Sequence, residues 1–265
     1  MIKLIASDMD GTLLDSQKRF PEGFFDAIRT LNKQGTTLVA ASGRQYASLL
    51  HDFEQVAEDM LFICENGALV MAHGERLFID PIDPKDIAPI LRVCRELGDV
   101  YPVMCRADVA LIEENADPEF IAEVKRYYPS HRIVGDLMDY CDAADVCKVA
   151  FFDPSDAQSH ELPFFEERLG DRLGVILSGE HWVDAMKSGV TKGRAMREMQ
   201  KMLDVRPEEC MAFGDYLNDY ELLESVSESY AMANGHPKLK AIARHIAPSN
   251  DEYGVMQVIK ERFSL

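Results

Sequence analysis

The chain has 265 residues, long enough for one large domain or for a domain with a sizeable insertion, and its composition is that of an ordinary globular protein. Lys and Arg number 28 against 46 Asp and Glu, a formal net charge of −18, which argues against nucleic acid or an anionic membrane as a main partner. Any anionic substrate must then be attracted locally, by a metal or a few cations. No run approaches the roughly 18 apolar residues of a membrane span. Met1 to Leu4 leads into a strand pattern rather than a signal peptide. The six cysteines include no C-x-x-C pair and sit in apolar contexts, so a soluble cytoplasmic protein with reduced thiols is expected. The seven histidines show no zinc spacing and read as surface or capping residues.

In chain order, residues 2–7 read as a buried parallel strand that ends in Asp8-Met9-Asp10-Gly11-Thr12. Open α/β sheets bind ligands outside the carboxyl ends of their strands, so Asp8 and Asp10 are expected to project into such a crevice. A crossover helix follows from Pro21, with Phe24, Phe25, Ile28 and Leu31 on one face and Gly35 at its end. Residues 36–41 form a second strand that stops at Ser42-Gly43-Arg44 before a helix through Leu49, Leu50 and Phe53. Residues 61–64 form a third, followed by Glu65-Asn66-Gly67 and two short strands joined near His73-Gly74. This alternation predicts an α/β fold with a doubly wound parallel sheet.

Asp80-Pro81-Ile82-Asp83-Pro84 reads as an extended linker. Residues 83–185 then carry helical patterns at 87–97, 118–127 and 160–169 among short strands at 146–152 and 175–178, an α+β module. From Lys187-Ser188-Gly189 the alternation returns, with a helix at 191–202, a strand at 210–213, a helix from Leu217 and a strand at 229–233. The expected organisation is one sheet domain built from residues 1–82 and 186–265, interrupted by an inserted cap at 83–185. Cap residues near the hinge, Trp182, Asp184 and Lys187 among them, are candidates to reach the pocket, with packing the better reading of Trp182.

Ser42-Gly43, at a strand end and a helix start, would suit an anion, or an ordinary serine cap. Lys192 stands in the first turn of a predicted helix, where a cation is disfavoured unless a phosphate or carboxylate lies beside it. Asp215, Asn218 and Asp219, spaced i, i+3 and i+4, can point the same way from a first helical turn. If parallel strands gather Asp8, Asp10 and Asp215, each close pair repels by roughly 4 kcal/mol at 4 Å and an effective dielectric of 20, so a cation must sit among them. Oxygen ligands from short acids suit Mg²⁺.

Asp8-Met-Asp10-Gly-Thr12, Ser42-Gly43, Lys192 and Gly214-Asp215-x-x-Asn218-Asp219 occur in the order of the four motifs of the haloacid dehalogenase superfamily, which the chain resembles over nearly the whole sheet domain. The insertion is similar to a type IIB cap. Asn66-Gly67-Ala68, Gly189-Val-Thr-Lys-Gly193 and Ser249-Asn-Asp-Glu-Tyr-Gly254 resemble the Cof-type phosphatases. The resemblance implies a Mg²⁺-dependent phosphatase of small phosphorylated metabolites with Asp8 as nucleophile and Asp10 as acid and base. It implies Asp8, Asp215 and the Asp10 carbonyl as metal ligands, and Ser42, the Gly43 N–H, Lys192 and Asn218 around phosphate or substrate. Asp219 would orient Lys192 or a metal-bound water. Thr191, where many relatives have Ser, and Tyr220-Glu221 depart from the pattern without removing a catalytic group. Asp15, Glu65 and Asp251 are ascribed to turn chemistry. A phosphomutase on the same scaffold and a receiver-type phosphoacceptor module are the competing readings.

Overall fold

The computed structural model describes residues 1–114 and 117–265. They fall into two compact units, Met1–Ser42 with Asp52–Phe78 and Thr191–Leu265, and Gly43–His51 with Ile79–Val190.

The first unit is built on an eight-stranded sheet in the order His245–Ala247, Glu228–Met232, Cys210–Gly214, Leu4–Ser7, Thr37–Ala41, Met60–Cys64, Leu69–Ala72, Glu75–Ile79. Its first six strands run parallel, and Leu69–Ala72 turns back antiparallel on Met60–Cys64. Leu4–Ser7 is buried along its whole length, as a central parallel strand covered on both faces must be. One core of this unit joins Ala6, Val39, Ile63 and Ala212 to Met196 and Met199 of the Lys192–Met202 helix. The first helix spans Phe24–Lys33 and buries Phe24, Ala27, Ile28 and Leu31. It starts later than Pro21 because the Pro21 carbonyl accepts from the Phe24 N–H, closing a turn ahead of the helix. The doubly wound parallel sheet is therefore as expected, and its order places a topological switch at the first strand. The chain leaves Leu4–Ser7 for Thr37–Ala41 on one side and returns beside it on the other as Cys210–Gly214.

The second unit has a six-stranded sheet, in the order Leu173–Gly179, Trp182–Lys187, Val146–Phe152, Tyr101–Arg106, Ala110–Glu113, His131–Val134. Alternate residues serve opposite faces: Met104, Val149, Phe151 and Val183 join one core with Ile87, Leu91 and Phe165, while Val103, Ala150 and Phe152 join another with Phe120 and Val124. Pro84 is not linker. It is the first residue of the Pro84–Leu97 helix, capped by Asp83, whose side chain accepts from the Lys85 N–H. Trp182 packs against Phe152 with ring centroids 5.1 Å apart, as expected of a packing residue. Asp184 is ion-paired to the buried Lys148 at 2.9 Å, and Lys187 to Asp80.

Glu161, at the end of a π-helical turn over Ala157–Glu161, is fully buried, and among the described residues neither of its carboxylate oxygens has a hydrogen-bond partner. Burial raises its pKa to about 9, with the charges of Asp153 and Asp184 adding to the shift. The folded state keeps this proton above the pH at which an unfolded glutamate loses it. Glu161 thus contributes stability that is full below about pH 4.5 and is lost as pH rises through the folded value. Glu161→Gln keeps the shape without the titration. Its melting temperature is expected to gain on the parent's progressively between pH 5 and 9, by about ten degrees at the upper end. Two curves that stay parallel across that range would mean an ionised Glu161.

Candidate active site

The carboxyl ends of the three central strands deliver Asp8, Ser42 and Asp215. Ser7 lies level with Phe213 on one neighbour and with Ala40 on the other, so Asp8, Ser42 and Asp215 leave adjacent strands at the same end of the sheet. The Asp8 N–H donates to the Phe213 carbonyl at 3.1 Å, which extends the ladder by one residue and leaves the carboxylate at the strand's carboxyl end. Gly11 follows with φ +81°, and a Cβ there would lie 2.5 Å from Asp215 Oδ2, so only glycine allows this close approach of the loop to the second acid.

Lys192 enters from the far end of the sequence. Thr191 caps its helix by accepting from the Arg194 N–H at 3.1 Å. The turn at 65–67 closes over that helix start: Gly67 has φ +106°, and a Cβ on it would lie 2.2 Å from the Thr191 carbonyl oxygen. The cation in the first turn has its explanation in the chain's own carboxylates, since the fully buried Lys192 Nζ donates to Asp8 Oδ1 at 2.6 Å and to Asp219 Oδ1 at 2.7 Å. The other Asp219 oxygen accepts from the N–H groups of Asp215 and Tyr216, at 3.1 and 3.3 Å. Asp219 is thereby committed on both oxygens to holding Lys192 and the Asp215 loop.

Asp215, Asn218 and Asp219 do not share a first helical turn. Asp215 directly follows the strand that ends at Gly214, Leu217–Asp219 is a short 3₁₀ turn, and the α-helix begins only at Tyr220. The side chains diverge accordingly: Asp219 is buried, Asp215 is half-buried with Oδ1 accepting from Thr12 Oγ1 at 2.8 Å, and Asn218 is exposed. Ser42 is buried, with its N–H on the Ile63 carbonyl at 2.8 Å and its carbonyl on the Asn66 N–H at 3.0 Å. The next helix begins only at Tyr46, and Gly43 groups with the second unit. Asp10 is partly exposed and its Oδ1 accepts from Lys18 Nζ at 2.6 Å, a partner that sequence reasoning missed. Only the left-handed backbone at Lys18, φ +61°, turns the loop back to make it, and no motif announces that.

Asp8, Asp215 and Asp219 each offer an oxygen within 4.8 Å of the others. Burial raises the Asp8 pKa against the downward pull of Lys192, and the charges of Asp219 and Asp215 push it further up. Burial likewise raises Asp215 against the Thr12 hydrogen bond. Burial lowers Lys192, but the charges of Asp219 and Asp8 outweigh it and leave the ammonium more firmly protonated than usual. Three carboxylates with one buried ammonium among them carry surplus negative charge, and their donor set is all oxygen. Those are the requirements of a small hard divalent cation. Because Asp219 is spent on Lys192 and on main-chain N–H groups, Asp8 and Asp215 are the carboxylates that fit it.

The haloacid dehalogenase-like hydrolase family model matches residues 5–259. The chain belongs to this family. Membership is what the four motifs implied, and Asp8, Ser42, Lys192 and Asp215 of those motifs lie in the first unit. The chain is 31% identical over 264 residues to the 5-amino-6-(5-phospho-D-ribitylamino)uracil phosphatase YbjI of Escherichia coli, a match that covers 97% of this chain and 95% of that one. It is 30% identical over 257 residues to the HMP-PP phosphatase of Klebsiella pneumoniae, covering 95% and 91%. Among solved structures, SMU.1108c from Streptococcus mutans UA159 superposes with a TM-score of 0.86 at 26% identity, over the full length of both chains. This haloacid dehalogenase-like hydrolase is an enzyme of the phosphatase type.

Proposed function

We propose that the enzyme hydrolyses phosphate monoesters of small metabolites through an aspartyl-phosphate on Asp8, with Mg²⁺ as cofactor. The observation that carries this reading is Lys192 Nζ, fully buried and held between Asp8 and Asp219 at 2.6 and 2.7 Å, which neutralises the nucleophile while leaving its second oxygen free of that contact. Asp8 and Asp215 would supply the carboxylate ligands of the cation and Asp10 its main-chain carbonyl. When bound, Mg²⁺ neutralises charge on the transferring phosphoryl oxygens.

Asp8 Oδ2 attacks phosphorus, the bond to the leaving oxygen breaks, and Asp10 gives that oxygen its proton. Asp10 then takes a proton from water, which attacks the phosphorus of the aspartyl-phosphate and returns Asp8 with release of inorganic phosphate. Ser42 holds phosphate oxygens, and Lys192 stabilises the charge that develops on them. Asp219 keeps Lys192 in place, and Asn218, exposed beside Asp215, is left to meet phosphate or substrate. The six cysteines, all free thiols, suit the reducing cytoplasm.

The test is a panel of p-nitrophenyl phosphate, hexose and pentose phosphates and 5-amino-6-(5-phospho-D-ribitylamino)uracil, assayed for free phosphate with Mg²⁺ and again after EDTA. Phosphate release that EDTA abolishes and excess Mg²⁺ restores is expected. Release indifferent to EDTA contradicts the cofactor, and an isomeric phosphate in place of free phosphate identifies a phosphomutase.

A further inference from the structure

The segment Ser249-Asn-Asp-Glu-Tyr-Gly254 has no place in the chemistry above, and Asp251 is not explained by turn chemistry. Asp15 is so explained: its Oδ1 accepts from the N–H groups of Gln17 and Arg19, each at 2.9 Å. Asp251 instead reaches across 235 residues of sequence, accepting from the Ser16 N–H at 2.7 Å and from Ser16 Oγ at 2.8 Å.

Its neighbours do the same. The buried Asn250 donates from Nδ2 to the Leu14 carbonyl at 2.9 Å, and its own N–H donates to Asn234 Oδ1 at 3.1 Å. Asn234 Nδ2 in turn donates to the Gly11 carbonyl at 2.8 Å. Tyr253, held in the left-handed region at φ +55°, donates its hydroxyl to Asp15 Oδ2 at 3.1 Å. Gly11, Leu14, Asp15 and Ser16 are therefore all fastened, through main chain or side chain, to residues at the other end of the sequence. The fastened stretch lies between Asp10 and Lys18, and Lys18 closes the loop by donating to Asp10 Oδ1. Loops held only by their own turns sample many conformations, whereas here four anchor points leave little freedom around Asp10.

We propose that Asn234, Asn250, Asp251 and Tyr253 are positioning residues that clamp the loop following Asp8 and so set where the Asp10 carboxyl stands for proton transfer to the leaving group. This rests on the phosphatase reading above. Proton donation matters for a poor leaving group such as an alkoxide and little for p-nitrophenolate, so misplacing Asp10 has a signature that general loss of structure lacks.

The test compares kcat/KM for p-nitrophenyl phosphate with that for the alkyl phosphate the parent enzyme hydrolyses fastest in the panel above. In Asn250→Ala, the alkyl value is expected to fall by about tenfold to a hundredfold, in the range of misplaced acid catalysis. The p-nitrophenyl value should fall by no more than about threefold. Tyr253→Phe, which loses one hydrogen bond and no bulk, is expected to show the same difference in weaker form and serves if Asn250→Ala does not fold. Equal losses on both substrates, or none, overturn the clamp while leaving the phosphatase reading standing. A parent enzyme that releases phosphate from neither substrate overturns the reading itself and the clamp with it.

Discussion

Asp8→Asn is expected to fold as the parent does and to release phosphate at least about a thousandfold more slowly, the scale of losing a nucleophile. The amide keeps an oxygen at the position where Asp8 Oδ1 accepts from Lys192 Nζ at 2.6 Å, so the geometry around the lysine survives. What disappears is the second anionic oxygen that attacks phosphorus. The same change removes one of three carboxylates whose oxygens lie within 4.8 Å of each other. Close like charges in a part-buried site cost about 4 kcal/mol at 4 Å and an effective dielectric of 20, so the asparagine variant should melt no lower than the parent without added metal. Initial rates on the best panel substrate and a thermal melt decide both halves. Retained turnover contradicts the assigned nucleophile, and a lower melting temperature contradicts the charge surplus.

Lys192→Met should be worse for the protein and nearly as bad for the reaction. The ammonium has no exposed side-chain surface, nor has the Asp219 carboxylate, and Asp8 has little. Removing one partner of a buried pair strands the other charge away from water, at a cost of about 3–5 kcal/mol. Loss of a preorganised charge at the transferring group slows catalysis about a hundredfold to a thousandfold. Lys192→Arg should not rescue either quantity, because a planar guanidinium cannot occupy a point-charge site closed on all sides. Lys201 on the same helix is the control. It pairs with Glu198 in solvent, and Lys201→Met should change stability by less than about 1 kcal/mol. Urea unfolding and steady-state rates on the three variants test this, and a Lys192→Met protein as stable as the parent would rule out the buried pair as drawn.

Much of the sheet, and the approach of Asp8 and Asp215, was legible in the sequence, because strand ends and glycine turns are local signals; the third acid of the cluster is Asp219 rather than Asp10, whose carboxyl turns to Lys18. Residues 2–7 are apolar enough to be central, and Lys192 in a first turn is odd enough to require an acid. Pairings set by how distant loops meet were not legible. Lys18 reaches Asp10 only through a left-handed residue, and Asp251 finds Ser16 from the opposite end of the chain. Asn218 and Asp219 read alike as helix-face residues. They separate because the strand runs on to Gly214 and Asp219 turns back onto the Asp215 and Tyr216 N–H groups. Glu161 carries no sequence mark at all, since a glutamate in a polar run looks solvated until the packing closes over it.

The central strand has a consequence for synthesis. Leu4 pairs with Cys210, so this strand has one bare edge until roughly two hundred further residues have been added, some 10–40 s at about 5–20 residues per second. Throughout that interval a short, largely apolar ribbon with unpaired amide groups stands ready to join another chain. Yield in the cell should accordingly depend on chaperone supply and on translation speed between the two strands.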